Sequence, residues 1–448
     1  METSTTLERA LALRKQGKLT EALPLLLAAI REDPLNSELW YRSGRVAHEL
    51  NRHGHAAQLF ETCLRFDPKH VAAARSLWYS RLCVGDFDGS ADACRRVMAL
   101  AADDIAALCM FGNLCYVFGK PEEGRAAHAR ALELEERSSS RHWPCATVRL
   151  VHGDYERGWR YFEPEAAGSM PDRGRWAAPK DRVWRGEAAP DRTVCIYKNG
   201  GNGDVFLFAR YLRLIAERVG RLVVTAPPGH ERLLLASVPG LAGVLRHPEE
   251  AGEGALYAQL WSLPGLFGTT VDTIPDEIPY LRPPSEGPLL PLASGLRVGL
   301  AWAGHPNTPI NHDRSVPTPA HLEPFFRIPG IDWVALQVGY RAGDADALPF
   351  AARPTLGDFG DTAVVLSQLD LLVTVDTAIA NLAGALGVPT WVMVPTFPEF
   401  RWGLQGDTTP WYPGVRLFRR SDTREWEGVI GRVASALGAW VTEGSRAG

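Results

Sequence analysis

The chain has 448 residues, with 48 basic and 52 acidic side chains and a formal net charge of −4. The absence of a basic tract argues against a nucleic-acid partner, and no apolar run is long and uncharged enough to span a bilayer. Seven cysteines without CxxC spacing, and an N-terminus without the apolar core of a signal peptide, predict a cytoplasmic protein without a zinc site.

A 34-residue repeat runs through the N-terminal third. At this period, turn formers fall in one column: Gly17, Asn51, Gly85, Gly119 and Gly153. Small residues fall in a second column five positions later: Ala22, Ala56, Ser90, Gly124 and Gly158. Helix pairs explain both columns, because the turn former reverses the chain and the small residue lets the two helices approach. This is the tetratricopeptide signature, and it predicts a helical superhelix over residues 1–160.

Such superhelices usually bind peptides or proteins on their concave face, which is the function that we expect for this domain. Roles as a spacer or as a dimer interface stay open. Four aromatic side chains line either the groove or the helix–helix core: Trp40, Tyr41, Trp78 and Tyr79.

Residues 161–192 are rich in Gly, Pro and charge, and they read as a connector packed on the next domain by Trp176 and Trp184. A first α/β domain is expected over 193–285. It has a strand at 193–198, a glycine-rich turn at 199–203, one long helix from Asp204 and a second strand at 221–225. Alternating strands and helices predict a parallel sheet.

A Pro-rich hinge at 283–295 precedes a second α/β domain, expected over 295–440 with strands at 296–302, 333–337 and 371–375. The segment 371–395 reads as strand, turn, helix and strand, with the helix over 378–386. Its turn points a helix N-terminus at the carboxyl edge of the sheet, where α/β folds hold phosphates. An ordinary βαβ unit without a ligand explains the same pattern.

Several motifs in order now carry a family resemblance. They include NGGNGDVFLFARYL at 199–212, RVGLAWAGHPN at 297–307, LQVG at 336–339, the segment 356–389 and FRWGLQGDTTPWYPGVRLFRR at 400–420. With these motifs the chain resembles the bacterial tetratricopeptide-repeat glycosyltransferases of the GT-B fold, which are related to heptosyltransferases and O-linked N-acetylglucosamine transferases.

The resemblance implies a multidomain α plus α/β protein, in which a tetratricopeptide superhelix precedes a GT-B pair of Rossmann-like domains. It implies an inverting, metal-independent transfer of a sugar from a UDP-linked or other nucleotide-linked donor to a hydroxyl of a protein held by the repeats. No cofactor is expected beyond this substrate. A glycan or lipopolysaccharide acceptor and an inactive scaffold with a residual nucleotide-binding module are the alternatives, and a homo-oligomer stays open.

The resemblance also assigns the site. Asp204 matches a catalytic aspartate and is the expected general base, although an Asp at this point is equally suited to cap a helix. The acceptor-side loop is Gly201, Asn202 and Gly203. The expected donor-binding residues are Trp302, Gly304, Arg314, Gln337, Asp376, Thr377, Ala378, Asn381 and Trp402.

Two departures from the family pattern stand out. The turn before Asp204 is Gly-Gly-Asn-Gly-Asp where the family commonly has Gln-Gly-Leu-Gly-Asp. Asn381 replaces a common histidine, which leaves altered donor choice, weaker catalysis or a binding-only role open. His305 and His312 are candidates to compensate for that histidine.

Overall fold

The structure is a computed structural model that describes residues 2–138, 142–163, 176–306, 308, 311–421 and 425–444. The chain separates into two compact units. The first is Met1–Ser139 with His305–Asp313, and the second is Ser140–Gly304 with Arg314–Gly448.

The first unit is a run of antiparallel helix pairs. Its helices, within the described residues, are α1 Glu2–Lys15, α2 Leu19–Glu32, α3 Ser37–Glu49, α4 His53–Phe66, α5 Val71–Cys83, α6 Phe87–Leu100, α7 Ile105–Val117 and α8 Pro121–Glu136. Side-chain caps start several of them: the carboxylates of Asp86 and Asp104 accept hydrogen bonds from the Gly89 and Ala107 N–H groups, both at 2.9 Å.

Both predicted columns of the repeat have the expected geometry. All five residues of the turn column have positive φ, between 58° at Asn51 and 83° at Gly153, a backbone conformation that favours Gly and Asn. The small column lies where helices touch: Ala22, Ala56 and Ser90 are fully buried, and a Cβ on Gly124 would lie 2.7 Å from the Tyr116 ring. The tetratricopeptide prediction is therefore confirmed.

The aromatic side chains of the repeats belong mainly to the core of the first unit. Trp40, Tyr41 and Trp78 are partly buried and pack against its buried hydrophobic cluster, and Tyr79 packs on His48 with ring centroids 5.1 Å apart. Of the two alternatives, groove or core, the helix–helix core explains the packing of Trp40, Tyr41 and Trp78.

The second unit begins with one more helix pair, α9 Trp143–Val151 and α10 Tyr155–Trp159. The division into compact units falls after Ser139, whereas the predicted repeat domain runs to residue 160 and includes this pair. The physical reason is that this pair is bonded into the α/β part: the Trp411 indole N–H donates to the Tyr155 hydroxyl at 2.7 Å, and the Trp159 indole N–H donates to the Thr269 carbonyl at 3.1 Å.

The first sheet is parallel, with strand order β3-β2-β1-β4. Its strands are β1 Ala189–Tyr197, β2 Val219–Thr225, β3 Leu241–Leu245 and β4 Leu256–Gln259. The helices of this half are α11 Asn202–Phe208, α12 Leu212–Ala216, α13 Glu231–Ser237 and α14 Leu263–Leu266.

The second sheet is also parallel, with order β6-β5-β7-β8-β9. Its strands are β5 Leu296–Ala301, β6 Ile331–Ala335, β7 Leu371–Val375, β8 Thr390–Val394 and β9 Val415–Arg419. The helices that follow β5 in sequence are α15 Asn311–Arg314, α16 Glu323–Phe326, α17 Phe359–Leu366, α18 Ala378–Leu386 and α19 Glu427–Gly444.

The long helix predicted from Asp204 is wrong in two respects. The helix starts at Asn202, and it is interrupted by a 3-10 turn over Ala209–Tyr211. Arg210 explains the interruption. Its buried guanidinium donates to the Leu207 carbonyl at 2.9 Å, an acceptor that a continuous helix would use, and to the Trp411 carbonyl at 2.8 Å.

The predicted connector and hinge both pack on their neighbours. Trp176 packs edge-on against Tyr197 and Tyr257 of the first sheet, and Trp184 is fully buried; residues 164–175 of the connector lie outside the described residues. In the hinge, the Gln368 amide donates to the Pro288 carbonyl and accepts from the Leu290 N–H, both at 2.9 Å.

Among the helices that the structure describes, none combines the length and the apolar character needed to cross a membrane.

Candidate functional site

The carboxyl ends of β1 and β7 lie close together in the second unit. Helix α11 follows β1 and helix α18 follows β7, and the two helices touch at Gly203. A Cβ at Gly203 would lie 3.0 Å from the Asn381 side-chain nitrogen and 3.6 Å from the Ala378 Cα. A side chain at this position would press on Asn381, so glycine suits this approach, which brings the predicted acceptor-side turn against the predicted donor turn.

Arg401 is the centre of this junction. Its guanidinium contacts Asp204 at 2.6 Å and Glu399 at 2.7 Å through Nη2, and it donates to the Asn381 Oδ1 at 3.0 Å through Nη1. Only 3% of its side chain is exposed. We call Arg401, Asp204, Asn381 and Glu399 the Arg401 cluster. Burial disfavours the charge of Arg401, but the Glu399 and Asp204 carboxylates outweigh this effect and raise the pKa of Arg401.

Asp204 caps a helix, which is one of the two roles that its sequence left open. It is the third residue of α11, and its Oδ2 accepts the Gly201 N–H at 2.6 Å, so it caps the helix from inside the first turn. Its Oδ1 faces Arg401, and 13% of the side chain is exposed. Because each carboxylate oxygen has two lone pairs, these bonds leave room for a proton.

Asn381 is part of the packing of the junction. It is buried, its Oδ1 accepts from Arg401 and from the Tyr412 hydroxyl at 3.1 Å, and its Nδ2 donates to the Thr377 carbonyl at 3.1 Å. The neutral amide of Asn381 thus bonds both Arg401 and Tyr412. Burial raises the pKa of Tyr412 well above its usual value, so this hydroxyl stays protonated and can donate.

Asp376 and Trp402 meet beneath the turn that follows β7. The Trp402 indole N–H donates to Asp376 Oδ1 at 2.8 Å, and both side chains are buried. Asp376 Oδ2 is buried as well, and it has no hydrogen-bond partner among the described residues. Such an acceptor lacks the bond that buried polar atoms normally make, so it is suited to receive a hydroxyl or another donor.

Thr377 is the N-cap residue of α18, with Ala378 as the first helical residue, as predicted for the phosphate turn. The Thr377 side chain makes no capping bond; its hydroxyl lies 3.5 Å from that of Thr374. The Thr377 side chain thus leaves the first N–H groups of α18 uncapped, and helix N-termini of this kind commonly bind anions.

Glu399 and Arg314 complete the charges around the junction. Desolvation of the carboxyl group raises the pKa of Glu399, although solvent still reaches 42% of the side chain. The charge of Arg401 opposes this rise, the charges of Asp376 and Asp204 add to it, and that of Arg314 opposes it. Arg314 ends α15 and is half-buried. The predicted basic position thus acts electrostatically on the same site as Arg401.

Three other predicted donor residues serve the loop after β5. The Gln337 Oε1 accepts the Trp302 and Ala303 N–H groups at 3.1 and 2.9 Å, and its Nε2 donates to the Ala303 and Tyr340 carbonyls. Its hydrogen-bonding capacity is thereby used. Trp302 is fully buried, with its indole N–H 3.2 Å from Asp344, and the Gly304 N–H donates to the Ser315 hydroxyl at 3.0 Å. These residues shape the loop and do not join the Arg401 cluster.

Sequence reasoning missed Arg401, Glu399 and Tyr412. The sequence contained a sign of the two charged residues' role, because Glu399 and Arg401 flank Phe400 in an otherwise apolar segment. Charged side chains in such a segment need partners when they are buried. Asn202 lies in the first turn of α11 beside the cluster, whereas His305 and His312 belong to the first compact unit.

Comparisons with known proteins match the repeats and, in one case, nearly the whole chain. The tetratricopeptide repeat family matches residues 7–71. Protein FlbA of Caulobacter vibrioides is 26% identical over 467 residues, which cover 96% of this chain and 71% of that protein. The N-terminal repeats are thus tetratricopeptide repeats, and nearly the whole chain is similar to Protein FlbA.

Solved structures of repeat proteins are also similar to part of the chain. The crystal structure of MamA is 18% identical, with a TM-score of 0.29, over 30% of this chain and 79% of MamA. A tetratricopeptide repeat protein from Parabacteroides merdae is 18% identical, with a TM-score of 0.31, over 38% of this chain and 68% of that protein.

Proposed function

We propose that this chain is an inverting glycosyltransferase of the GT-B type, which moves a sugar from a nucleotide-linked donor to a hydroxyl group. The two parallel sheets within one compact unit support this proposal. The observation that carries the proposal is the convergence of Asp204, buried Arg401 and the uncapped N-terminus of α18 at the carboxyl ends of β1 and β7.

In this proposal the acceptor oxygen attacks the anomeric carbon as the bond from that carbon to the diphosphate oxygen breaks. Asp204 takes the proton of the acceptor hydroxyl. The leaving diphosphate gains negative charge, which the α18 N–H groups at Thr377 and Ala378 stabilise together with Arg314 and Arg401. Asp376 does not touch phosphate in this proposal. Its Oδ2, which has no hydrogen-bond partner among the described residues, accepts a hydrogen bond from a hydroxyl of the bound nucleotide sugar.

The acceptor in this proposal is a protein that the tetratricopeptide repeats hold. The support is the repeat itself, since stacked helix pairs form extended surfaces that commonly bind peptides or proteins. A glycan acceptor is the alternative outcome of the experiment below.

A second candidate function is a nucleotide-binding scaffold without catalysis. The specific observation in its favour is that both Asp204 oxygens already have partners and that Asn381 stands where a histidine is common. In such a protein the Arg401 cluster would hold the two halves together.

The two candidates differ in whether the chain releases a nucleoside diphosphate and modifies an acceptor. We would incubate the purified chain with UDP- and GDP-linked sugars, measure release of the nucleoside diphosphate, and determine intact masses of co-expressed proteins. The enzyme is expected to release the diphosphate, with a loss of about 100-fold or more in Asp204→Asn, as for removal of a general base. Matched Asp346→Asn, at an exposed ion pair, should keep the wild-type rate. Nucleotide binding without any release would favour the scaffold.

A further inference from the structure

Glu399 is the solvent-facing partner of a buried arginine. It follows β8 and precedes the 3-10 turn Phe400–Trp402, and its Oε2 lies 2.7 Å from Arg401 Nη2. Solvent reaches 42% of the Glu399 side chain but only 3% of that of Arg401. Glu399 therefore covers the edge of Arg401 at which an anion from solvent would arrive.

Two carboxylates share one nitrogen of Arg401, and they are held unequally. Asp204 is fixed twice, by Arg401 and by the Gly201 N–H. Among the described residues the Glu399 carboxylate contacts Arg401 alone, and it is the more exposed of the two. Glu399 can turn to solvent when it leaves Arg401, so it is the carboxylate that gives up Arg401 at the lower cost of the two.

The charges around Glu399 oppose a second anion while it is ionised. Asp204 and Asp376 face it with negative charge, and Arg401 and Arg314 face it with positive charge. With all five groups ionised the site has one net negative charge. A proton on Glu399 removes that excess, and the surroundings already raise the pKa of its carboxyl group.

We infer that Glu399 holds the place of a phosphate on Arg401, and that a nucleoside diphosphate binds there together with one proton on Glu399. This inference rests on the proposed nucleotide site. The proton comes from solvent, and the contact between Glu399 and Arg401 Nη2 breaks. A phosphate oxygen then accepts a hydrogen bond from Nη2 in its place. The neutral carboxyl group can then donate a hydrogen bond to the phosphate. Donor binding thereby becomes tighter as the pH falls.

The experiment measures proton uptake directly. UDP and GDP are titrated into the full chain by calorimetry between pH 7 and 8.5, above the phosphate's own titration near pH 6, in two buffers of different ionisation enthalpy. The wild type should take up a proton on binding, with affinity falling by up to tenfold per pH unit. Glu399→Gln should bind about tenfold more tightly at pH 8 and take up none. Glu399→Asp, which keeps the carboxylate, should retain proton uptake.

Two outcomes would overturn the inference, and they are distinguishable from failure of the proposed function. Equal proton uptake by the wild type and Glu399→Gln would place the titrating group elsewhere. Weaker binding by Glu399→Gln would make Glu399 a direct ligand and not a substitute for phosphate. If neither UDP nor GDP binds to any of the three proteins, the nucleotide site itself is refuted, and the inference falls with it.

Discussion

Replacing Arg401 by Met should destabilise the second unit far more than an ordinary loss of a salt bridge. Met keeps most of the length and apolar contact of the arginine but removes its charge. Asp204 and Glu399 then face each other without the cation between them, and Asn381 loses one of its donors. Removing one member of a buried ion pair costs about 3–5 kcal/mol, because the remaining charge is buried and uncompensated.

For Arg401→Met we expect a loss of stability near the lower end of that range. Glu399 is 42% exposed and can turn to solvent, and Asp204 keeps its bond to the Gly201 N–H. We therefore expect a loss of about 3 kcal/mol, which corresponds to about 5 °C in melting temperature for a unit of this size.

Calorimetric melting of the full chain measures this loss, with Arg353→Met as the matched control. Arg353 pairs with Asp346 at an exposed site, so its replacement should change stability by no more than about 0.5 kcal/mol. Adding Asp204→Asn to Arg401→Met should recover about 1 kcal/mol or more, because it removes one unpaired charge. Equal melting temperatures of the Arg401 and Arg353 variants, or strictly additive effects in the double variant, would refute the reasoning.

Three further predictions concern other parts of the second unit and the thiols. Burial lowers the pKa of His230 to about 4, so the free energy of unfolding should fall by up to about 3 kcal/mol between pH 6.5 and pH 4. Urea unfolding of the His230→Phe variant should show a smaller fall over the same pH range. Gly203→Val should lower stability by about 1–3 kcal/mol by pressing on Asn381, whereas Gly431→Val, with open space around it, should escape this overpacking; comparable losses would contradict the close approach of the helices. Burial raises the pKa of both Cys63 and Cys195 to about 12, so a thiol reagent at pH 8 should label neither until the chain is unfolded, and fast labelling of the native chain would contradict their burial.

Features set by local backbone geometry were predictable from the sequence. The turn column was recognisable because a left-handed φ selects Gly or Asn at the same point of every repeat. Strand β7 and helix α18 have the predicted limits, 371–375 and 378–386, because a buried β-branched run and a C-terminal Gly-Pro signal bound them.

The side-chain partners at the site were not predictable in this way. Asp204 and Arg401 are 197 residues apart, and no local pattern indicates that one will neutralise the other. Gln337 lies at the carboxyl end of a strand, as a ligand-binding residue would, but its amide is used by the Trp302 loop. The interruption of the helix after α11 likewise depends on distant carbonyl groups that Arg210 binds.

Nucleotide binding at the N-terminus of α18 tests the central claim most directly. Calorimetric titration with UDP and GDP should give saturable 1:1 binding of at least one of them to the wild type. Arg314→Ala and Thr377→Ala should weaken it by about tenfold each, the effect of losing one charged or hydrogen-bonding contact to phosphate. The Arg353→Ala variant should bind as the wild type does. Absence of binding, or binding that is unchanged in both site variants, would contradict a donor site at this turn.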